Sequence, residues 1–188
     1  MQLQAIYQNT IKFAAKKHAS QNQVIPGTNL PYVVHLSNVA MEIIIASQET
    51  KQFNTAFAIQ VALLHDVLED TQTTFDELVN EFDEEIALAV LALTKNAAIA
   101  KEERMNDSLS RIKKLSKEVW AVKLADRITN LQIPPESWSV EKINEYHKQA
   151  LQILNTLKGG NEYLEKRLSE RIENYSKYCN TDSQIKHQ

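Results

Sequence analysis

The sequence contains few residues that interrupt a helix. Its 188 residues include only three glycines and four prolines, the residue types that most often end regular secondary structure. These residues are Gly27, Gly159, Gly160, Pro26, Pro31, Pro134 and Pro135. The long blocks between them have helical periodicity, and the alternating patterns typical of strands are nearly absent.

The sequence also lacks the features of secreted, membrane-spanning and nucleic-acid-binding proteins. A single cysteine, Cys179, excludes an internal disulfide. No segment approaches the ~20 apolar residues of a membrane helix, and the N-terminus has no apolar signal-peptide core. The 21 basic and 24 acidic residues nearly balance, leaving a net charge of −3. We therefore expect a cytoplasmic protein without nucleic-acid or membrane partners, whose oligomeric state the sequence leaves open.

The distribution of apolar residues predicts a single all-α domain. An apolar fraction of 43% is ample for one hydrophobic core. Thr74, with Glu77 three residues later, and Ser139 are typical helix N-caps. The polar stretch 96–108 is expected to be a connection. The predicted helical blocks are 3–20, 35–48, 54–68, 74–82, 84–95, 117–131, 139–158 and 161–178.

A histidine–aspartate pair follows a strongly apolar segment. His65 and Asp66 come directly after the run AIQVALL, which is apolar enough to be buried. Burying a charge is costly unless the charge is paired or bound to a metal. Glu69 and Asp70 follow one turn later, so one continuous helix would present an imidazole and three carboxylates on neighbouring faces. Carboxylates this close repel one another unless a cation lies between them.

Two other apolar segments carry a residue of the same kind. Asp126 follows the run VWAVKLA, and His35 stands at the start of a third apolar helix. Together with His65 and Asp66, they offer two imidazoles and two carboxylates to one ion. This mixed set suits Mn²⁺, Fe²⁺, Co²⁺ or Zn²⁺, whereas Ca²⁺ prefers oxygen ligands alone.

The segments that carry these residues resemble the HD hydrolase domain of the RelA/SpoT family. The matching segments, in the same order and at similar separations, are PYVVH (31–35), ALLHDVLEDT (62–71), LTK (93–95) and VKLADRITNL (122–131). The stretch WSVEKINEYHKQALQIL (138–154) is similar to the small stand-alone alarmone hydrolases, the metazoan-type SpoT homologues. The resemblance implies an HD-domain helical bundle over residues 1–180, followed by a polar tail at 181–188.

The resemblance also implies a reaction and a role for particular residues. The family removes the 3′-pyrophosphate from (p)ppGpp, typically with Mn²⁺. By position, the metal ligands are His35, His65, Asp66 and Asp126, and the catalytic acids are Glu69 and Asp70. Asn130 matches a substrate-contacting asparagine, and Tyr146 matches a tyrosine of the small hydrolases.

The phosphate groups of such a substrate require cations or N–H donors. Lys123 and Arg127 flank Asp126 at helical distances. The candidate cations are Lys16, Lys17, Lys95, Lys101, Arg104, Lys123 and Arg127. From this set, Lys17, Lys101, Arg104 and Lys123 are selected as substrate contacts, together with Asn130 and Tyr146.

The sequence departs from the family pattern in the loop before Pro31. The family usually has an Arg-Lys pair there, which helps hold the guanine nucleotide, whereas the corresponding positions here are near Asn22, Gln23 and Val24. The true substrate is therefore left open. The alternatives are another phosphorylated nucleotide such as NADPH or a sugar nucleotide, or a nucleotide-binding module without catalysis.

Overall fold

The computed structural model describes residues 2–179. Within that range the chain forms helices joined by turns and loops, with an isolated β-bridge between Val24 and Pro31. The α-helices are α1 (Leu3–Ala19), α2 (Val33–Gln48), α3 (Thr55–Leu64), α4 (Val67–Asp70), α5 (Phe75–Glu81), α6 (Glu84–Leu93), α7 (Arg104–Ile112), α8 (Lys117–Asn130), α9 (Val140–Thr156) and α10 (Glu162–Tyr175), and a 3₁₀-helix covers Ser176–Tyr178. The predicted all-α fold is confirmed. The polar tail predicted at 181–188 lies outside the described residues.

Helix α3 occupies the centre of the molecule. Its sequence, TAFAIQVALL, has no polar face, and a helix that is apolar all round is stable only when other elements surround it. It packs against α1, α2, α6 and α8. At its N-terminus, the Asn54 side chain accepts a hydrogen bond from the backbone N–H of Phe57, as an N-cap residue does.

Helices α2, α3 and α8 all pack against one another. His35 lies in the first turn of α2, His65 directly follows α3, and Asp126 lies near the C-terminal end of α8. Polar residues from three distant parts of the sequence therefore meet inside the bundle.

The stretch predicted as a connection is partly helical. Turns cover the first part of 96–108, but α7 begins at Arg104. Leu109 and Ile112 are buried, and the Ser108 hydroxyl donates a hydrogen bond to the Ala92 carbonyl of α6 at 2.9 Å. The prediction of a continuous polar connection was wrong here, because a short helix needs only a few apolar residues on the face that packs against α6 and α9.

The predicted helix boundaries depend on caps that the structure contains. The Thr74 hydroxyl accepts a hydrogen bond from the N–H of Glu77 at 3.2 Å, and that of Ser139 accepts one from Lys142 at 3.3 Å. Gly159, just after α9, has a φ of +86°, which glycine adopts without the strain of a side chain.

Two loops meet beside the start of α2. One connects α1 to α2 over residues 20–32, and the other connects α8 to α9 over residues 131–139. A Cβ on Gly27 would lie 3.1 Å from the Pro135 side chain, so glycine permits the close approach of these loops. Of the helices in the described part of the chain, none has the length and apolarity to cross a membrane.

Candidate active site

His35, His65 and Asp126 form a buried cluster. One ligand atom from each lies within 4.8 Å of the others. The Nε2 atoms of the two histidines are 3.4 Å apart. Oδ1 of Asp126 lies 3.5 Å from Nε2 of His35 and 3.7 Å from Nε2 of His65. Three groups with lone pairs therefore face one small space, as the ligands of a metal ion do.

Asp66 brings a fourth donor to this cluster. Its Oδ2 lies 3.0 Å from Nε2 of His65 and 3.9 Å from Nε2 of His35. The Tyr32 hydroxyl donates a hydrogen bond to the same oxygen, which orients the carboxylate. The four residues predicted as metal ligands are thus brought together.

The chain changes direction between His65 and Asp66. The sequence predicts one helix over 54–68, but α3 ends at Leu64 and α4 begins at Val67, with Asp66 at φ −106° and ψ −1°. In a continuous helix, successive side chains diverge by about 100°. The interruption removes this constraint, so that adjacent side chains approach the same point.

Neighbouring groups orient the ligand atoms. Nδ1 of His65 lies 2.7 Å from the Ala62 carbonyl, an acceptor, so Nδ1 carries a proton and Nε2 is the ring nitrogen that faces the cluster. Lys123 donates to Oδ2 of Asp126 at 3.0 Å, and the Asn130 amide donates to Oδ1. Such outer hydrogen bonds fix ring and carboxylate orientation at metal sites.

The ionisation of these residues is consistent with a cation site. Burial would raise the pKa of Asp126, but the Lys123 ammonium and the two imidazoles hold it well below its ordinary value. Burial likewise opposes ionisation of Asp66, yet the neighbouring His65 ring lowers the pKa of Asp66. Conversely, these carboxylates raise the pKa of His65 although burial would lower it. The proton in question lies on His65, beside Asp66 and Asp126. A divalent ion can displace such a proton when it binds, so the donor set fits a borderline divalent metal.

Glu69 and Asp70 lie on α4 beside the cluster. Glu69 accepts two hydrogen bonds from Lys95. The backbone N–H of Lys95 donates at 3.0 Å, and the Lys95 ammonium donates at 2.7 Å. Asp70 accepts one from the Gln23 amide at 2.7 Å. Partial burial and the nearby Asp66 raise the pKa of Asp70. Two acids in different surroundings therefore border the cluster of His35, His65, Asp66 and Asp126.

A cavity of about 290 Å³ opens over these acids and over Asp66 and Asp126 of the cluster. Its walls combine carboxylates with three cations and several uncharged side chains. They are formed by Tyr32, Asp66, Glu69, Asp70, Leu93, Lys95, Lys123, Asp126, Arg127, Asn130, Tyr146 and Gln149. The cations can bind the phosphate groups of a ligand, and the carboxylates can act in proton transfer.

The predicted substrate contacts divide into two groups. Asn130, Lys123 and Tyr146 line the cavity, whereas Lys17, Lys101 and Arg104 do not. Lys17 pairs with Glu77, Lys101 is exposed in the turn before α7, and Arg104 donates to the Ala97 and Ile99 carbonyls. Lys17 and Arg104 thus bind acceptors outside the cavity, and Lys101 is exposed to solvent.

The substrate contacts selected from the sequence omit two cations that the structure places in the cavity. Lys95 ends the LTK motif two residues after the end of α6, and Arg127 follows Asp126 on α8. The Arg127 side chain packs 4.0 Å from the centre of the Tyr146 ring. Their positions inside the matched motifs LTK and VKLADRITNL were the available signal.

A second cavity of about 330 Å³ reaches the cluster from the side of the two loops. His35, Asn130 and Tyr146 border it, and Tyr146 and Asn130 also border the first cavity. Its remaining walls are apolar or carry amide and hydroxyl groups, and they are formed by Ile25, Pro26, Asn38, Thr129, Gln132, Ile133, Pro135 and Trp138. This composition is suited to an uncharged ring system.

Comparisons with known proteins agree with the motifs and the fold. The HD-domain profile matches residues 10–161. The guanosine-3′,5′-bis(diphosphate) 3′-pyrophosphohydrolase MESH1 of Danio rerio is 36% identical over 171 residues, which cover 88% of this chain and 92% of that protein. The Homo sapiens protein of the same name is 35% identical over 161 residues, with coverages of 83% and 87%. The solved structure of a metazoan orthologue of SpoT that hydrolyses ppGpp aligns at a TM-score of 0.77 and 29% identity, covering 90% of this chain and 95% of that one.

Proposed function

The chain belongs to the HD-domain family, and from that membership we propose that it is a Mn²⁺-dependent (p)ppGpp 3′-pyrophosphohydrolase. Relatives that cover most of its length carry that activity in their names. The observation that carries the proposal is the convergence of two imidazoles, two carboxylates beside them and two further acids on one cation-lined cavity. In this proposal residues 1–180 form one catalytic domain.

The four clustered residues would hold the metal. When bound, the ion supplies a Lewis acid for the phosphoryl oxygens and for the attacking water. His65 contributes Nε2, because its Nδ1 proton is engaged by the Ala62 carbonyl. Lys123 and Asn130 hold the Asp126 carboxylate in place.

The neighbouring residues would bind the substrate and move protons. Water attacks the phosphorus bonded to the 3′-oxygen of the ribose, the P–O bond breaks, and the 3′-oxygen receives a proton, which gives pyrophosphate and GDP or GTP. Glu69 and Asp70 orient the water and transfer protons, since both carboxylates face the cavity. Lys95, Lys123 and Arg127 neutralise phosphate charge.

The second cavity would take the nucleoside. Tyr146 and Trp138 offer aromatic faces for stacking, and the amides of Asn38 and Gln132 can donate or accept hydrogen bonds at a base edge. Amides can match more than one base, and the loop has no cation at positions 22–24. This observation favours a second candidate in the same enzyme class, a hydrolase of another phosphorylated nucleotide such as NADPH.

The test is hydrolysis of ppGpp by the purified protein with Mn²⁺, followed by anion-exchange chromatography of the products. We expect GDP and pyrophosphate from the wild-type protein and from His147→Gln, a matched histidine variant outside the cluster. His65→Ala should release neither. Wild-type release no greater than that of His65→Ala would contradict the proposal, and a higher kcat/KM for NADPH than for ppGpp would favour the second candidate.

A further inference from the structure

Gln23 lies where the family resemblance leads us to expect a cation. Its side chain bridges two residues of the site region instead of extending into solvent. Nε2 lies 2.7 Å from Oδ2 of Asp70, and Oε1 lies 2.5 Å from Nδ1 of His18. The amide therefore connects the last turn of α1 to a predicted catalytic acid on α4.

The chemistry of the three groups sets the direction of this hydrogen-bonded chain. An ionised carboxylate can only accept, so the amide nitrogen faces Asp70 and the amide oxygen faces His18. Nδ1 of His18 must then donate. His18 is 1% exposed, and its Nε2 has no partner among the described residues. Since burial lowers the pKa of His18, the ring is neutral and carries its single proton on Nδ1.

The backbone holds Gln23 in position for this role. Its N–H donates to the His18 carbonyl at 3.2 Å, and its carbonyl accepts from the N–H of Tyr32 at 3.1 Å. Asn22, directly before it, has a φ of +51°, which turns the chain sharply after α1. These bonds fix the backbone of Gln23 within reach of Asp70, and the hydrogen bond from His18 holds the amide oxygen.

The two acids of α4 are thus held by different kinds of group. Lys95 holds Glu69 through a charged ammonium and a backbone N–H, whereas Gln23 holds Asp70 through a neutral amide. No residue in the range 2–179 donates a side-chain hydrogen bond to Oδ1 of Asp70, which leaves that oxygen for water or substrate.

We propose that Gln23 is a positioning residue for Asp70 and that the chain from His18 through Gln23 sets the orientation of this carboxylate in the cavity. Gln23 acts through Asp70 and does not take over the substrate-binding role of the family's cation. The inference rests on the proposed function, because it assigns Asp70 a part in the hydrolysis.

Gln23→Met tests this role, because methionine keeps the length of the side chain and removes both hydrogen bonds. Its matched control is Gln21→Met in the same loop, where the side chain is exposed. Turnover is measured with Mn²⁺ on ppGpp and on bis(p-nitrophenyl) phosphate, which contains no nucleoside. For Gln23→Met we expect kcat to fall about tenfold on both compounds at nearly unchanged KM, as for lost outer hydrogen bonds at metal sites. Gln21→Met should match the wild type.

A second readout does not depend on activity. In nitrogen-15 NMR spectra, the wild-type His18 should show a protonated, slowly exchanging Nδ1, and Gln23→Met should lose that protection. An unchanged His18 signal would overturn the inference. A raised KM at unchanged kcat would also overturn it, because it indicates substrate contact. The same holds for an unchanged kcat, and for a kcat loss explained by a lower melting temperature.

The two compounds separate this inference from the proposed function. If the wild type hydrolyses the phosphodiester but not ppGpp, the proposed substrate is wrong, and the Gln23 comparison proceeds on the phosphodiester. Hydrolysis of neither compound would overturn both proposals.

Discussion

At the scale of single residues, Arg127 is the most unusual group of the site. It is 4% exposed, and its Nε and Nη1 are enclosed without a hydrogen-bond partner among the described residues. Its guanidinium carbon lies over the face of the Tyr146 ring. A buried charge with unsatisfied donors reduces stability. An anionic ligand in the cavity would supply the missing acceptors.

We therefore expect Arg127→Met to lower activity without lowering stability. Loss of a charge-assisted contact to phosphate should lower kcat/KM roughly 10- to 100-fold. The melting temperature should stay equal or rise, because an apolar side chain replaces an unpaired buried charge. Steady-state kinetics and calorimetry on the variant measure both quantities. Arg171→Met, on α10 and outside the cavity, is the control, and a strongly destabilised Arg127→Met with normal kcat/KM would contradict this role.

At the scale of secondary-structure elements, hydrogen bonds at helix ends position the site. Arg111 of α7 donates to the Thr94 carbonyl at 2.7 Å, just after the end of α6. The next residue, Lys95, reaches Glu69. The helix that the sequence did not predict thus stabilises the segment that carries one of the cavity's cations.

The first turn of α8 is tied to the start of α3 by Glu118. Its carboxylate accepts a hydrogen bond from the N–H of Asn54 at 3.0 Å. Partial burial would raise the pKa of Glu118, but the hydrogen bonds from Asn54 and Ser116 lower it overall. The folded-state pKa is therefore below the ordinary value of 4.5, and the ionised side chain favours the folded state.

Glu118→Gln should accordingly destabilise the protein in a pH-dependent way. The contribution of the carboxylate is complete above the unfolded-state pKa and is lost as the pH falls through the lower folded-state pKa. We expect a loss of about 0.5–1 kcal/mol at pH 7, given the partial exposure, and a difference that shrinks as the pH falls from about 4.5 to about 3. Urea denaturation of both proteins across this range measures it. A difference that grows on acidification, or an equal effect in the exposed-site control Glu102→Gln, would argue against it.

At the scale of the whole molecule, the predicted metal site joins parts of the chain that are distant in sequence. His35 comes from α2, His65 and Asp66 from the junction of α3 and α4, and Asp126 from α8. A bound ion would link these three packed helices. The unfolded chain offers no such arrangement, so metal binding favours the folded state.

Mn²⁺ should therefore raise the melting temperature of the protein. At a free concentration of about 100 times Kd, binding adds about 2.7 kcal/mol, or roughly 5–10 °C for a chain of this size. Scanning calorimetry with Mn²⁺, and after chelation with EDTA, measures the shift. His65→Ala should show little or none. A wild-type melting temperature that does not change when Mn²⁺ is added would contradict the predicted metal site.

The sequence by itself determined the helical class, the main helix boundaries and the identity of the clustered residues. Helix caps such as Thr74 and Ser139 act over three residues, so local pattern suffices to find them. His65 and Asp126 stand out because a charged residue after a long apolar run requires a compensating partner.

Only the tertiary structure decided which groups share the cavity and how they are oriented. The break between His65 and Asp66, the unselected cations Lys95 and Arg127, and the bridge from Gln23 to Asp70 depend on contacts between separate helices and loops. Such contacts follow from packing in three dimensions. A local sequence pattern records the type of each side chain but not its distance from residues far along the chain.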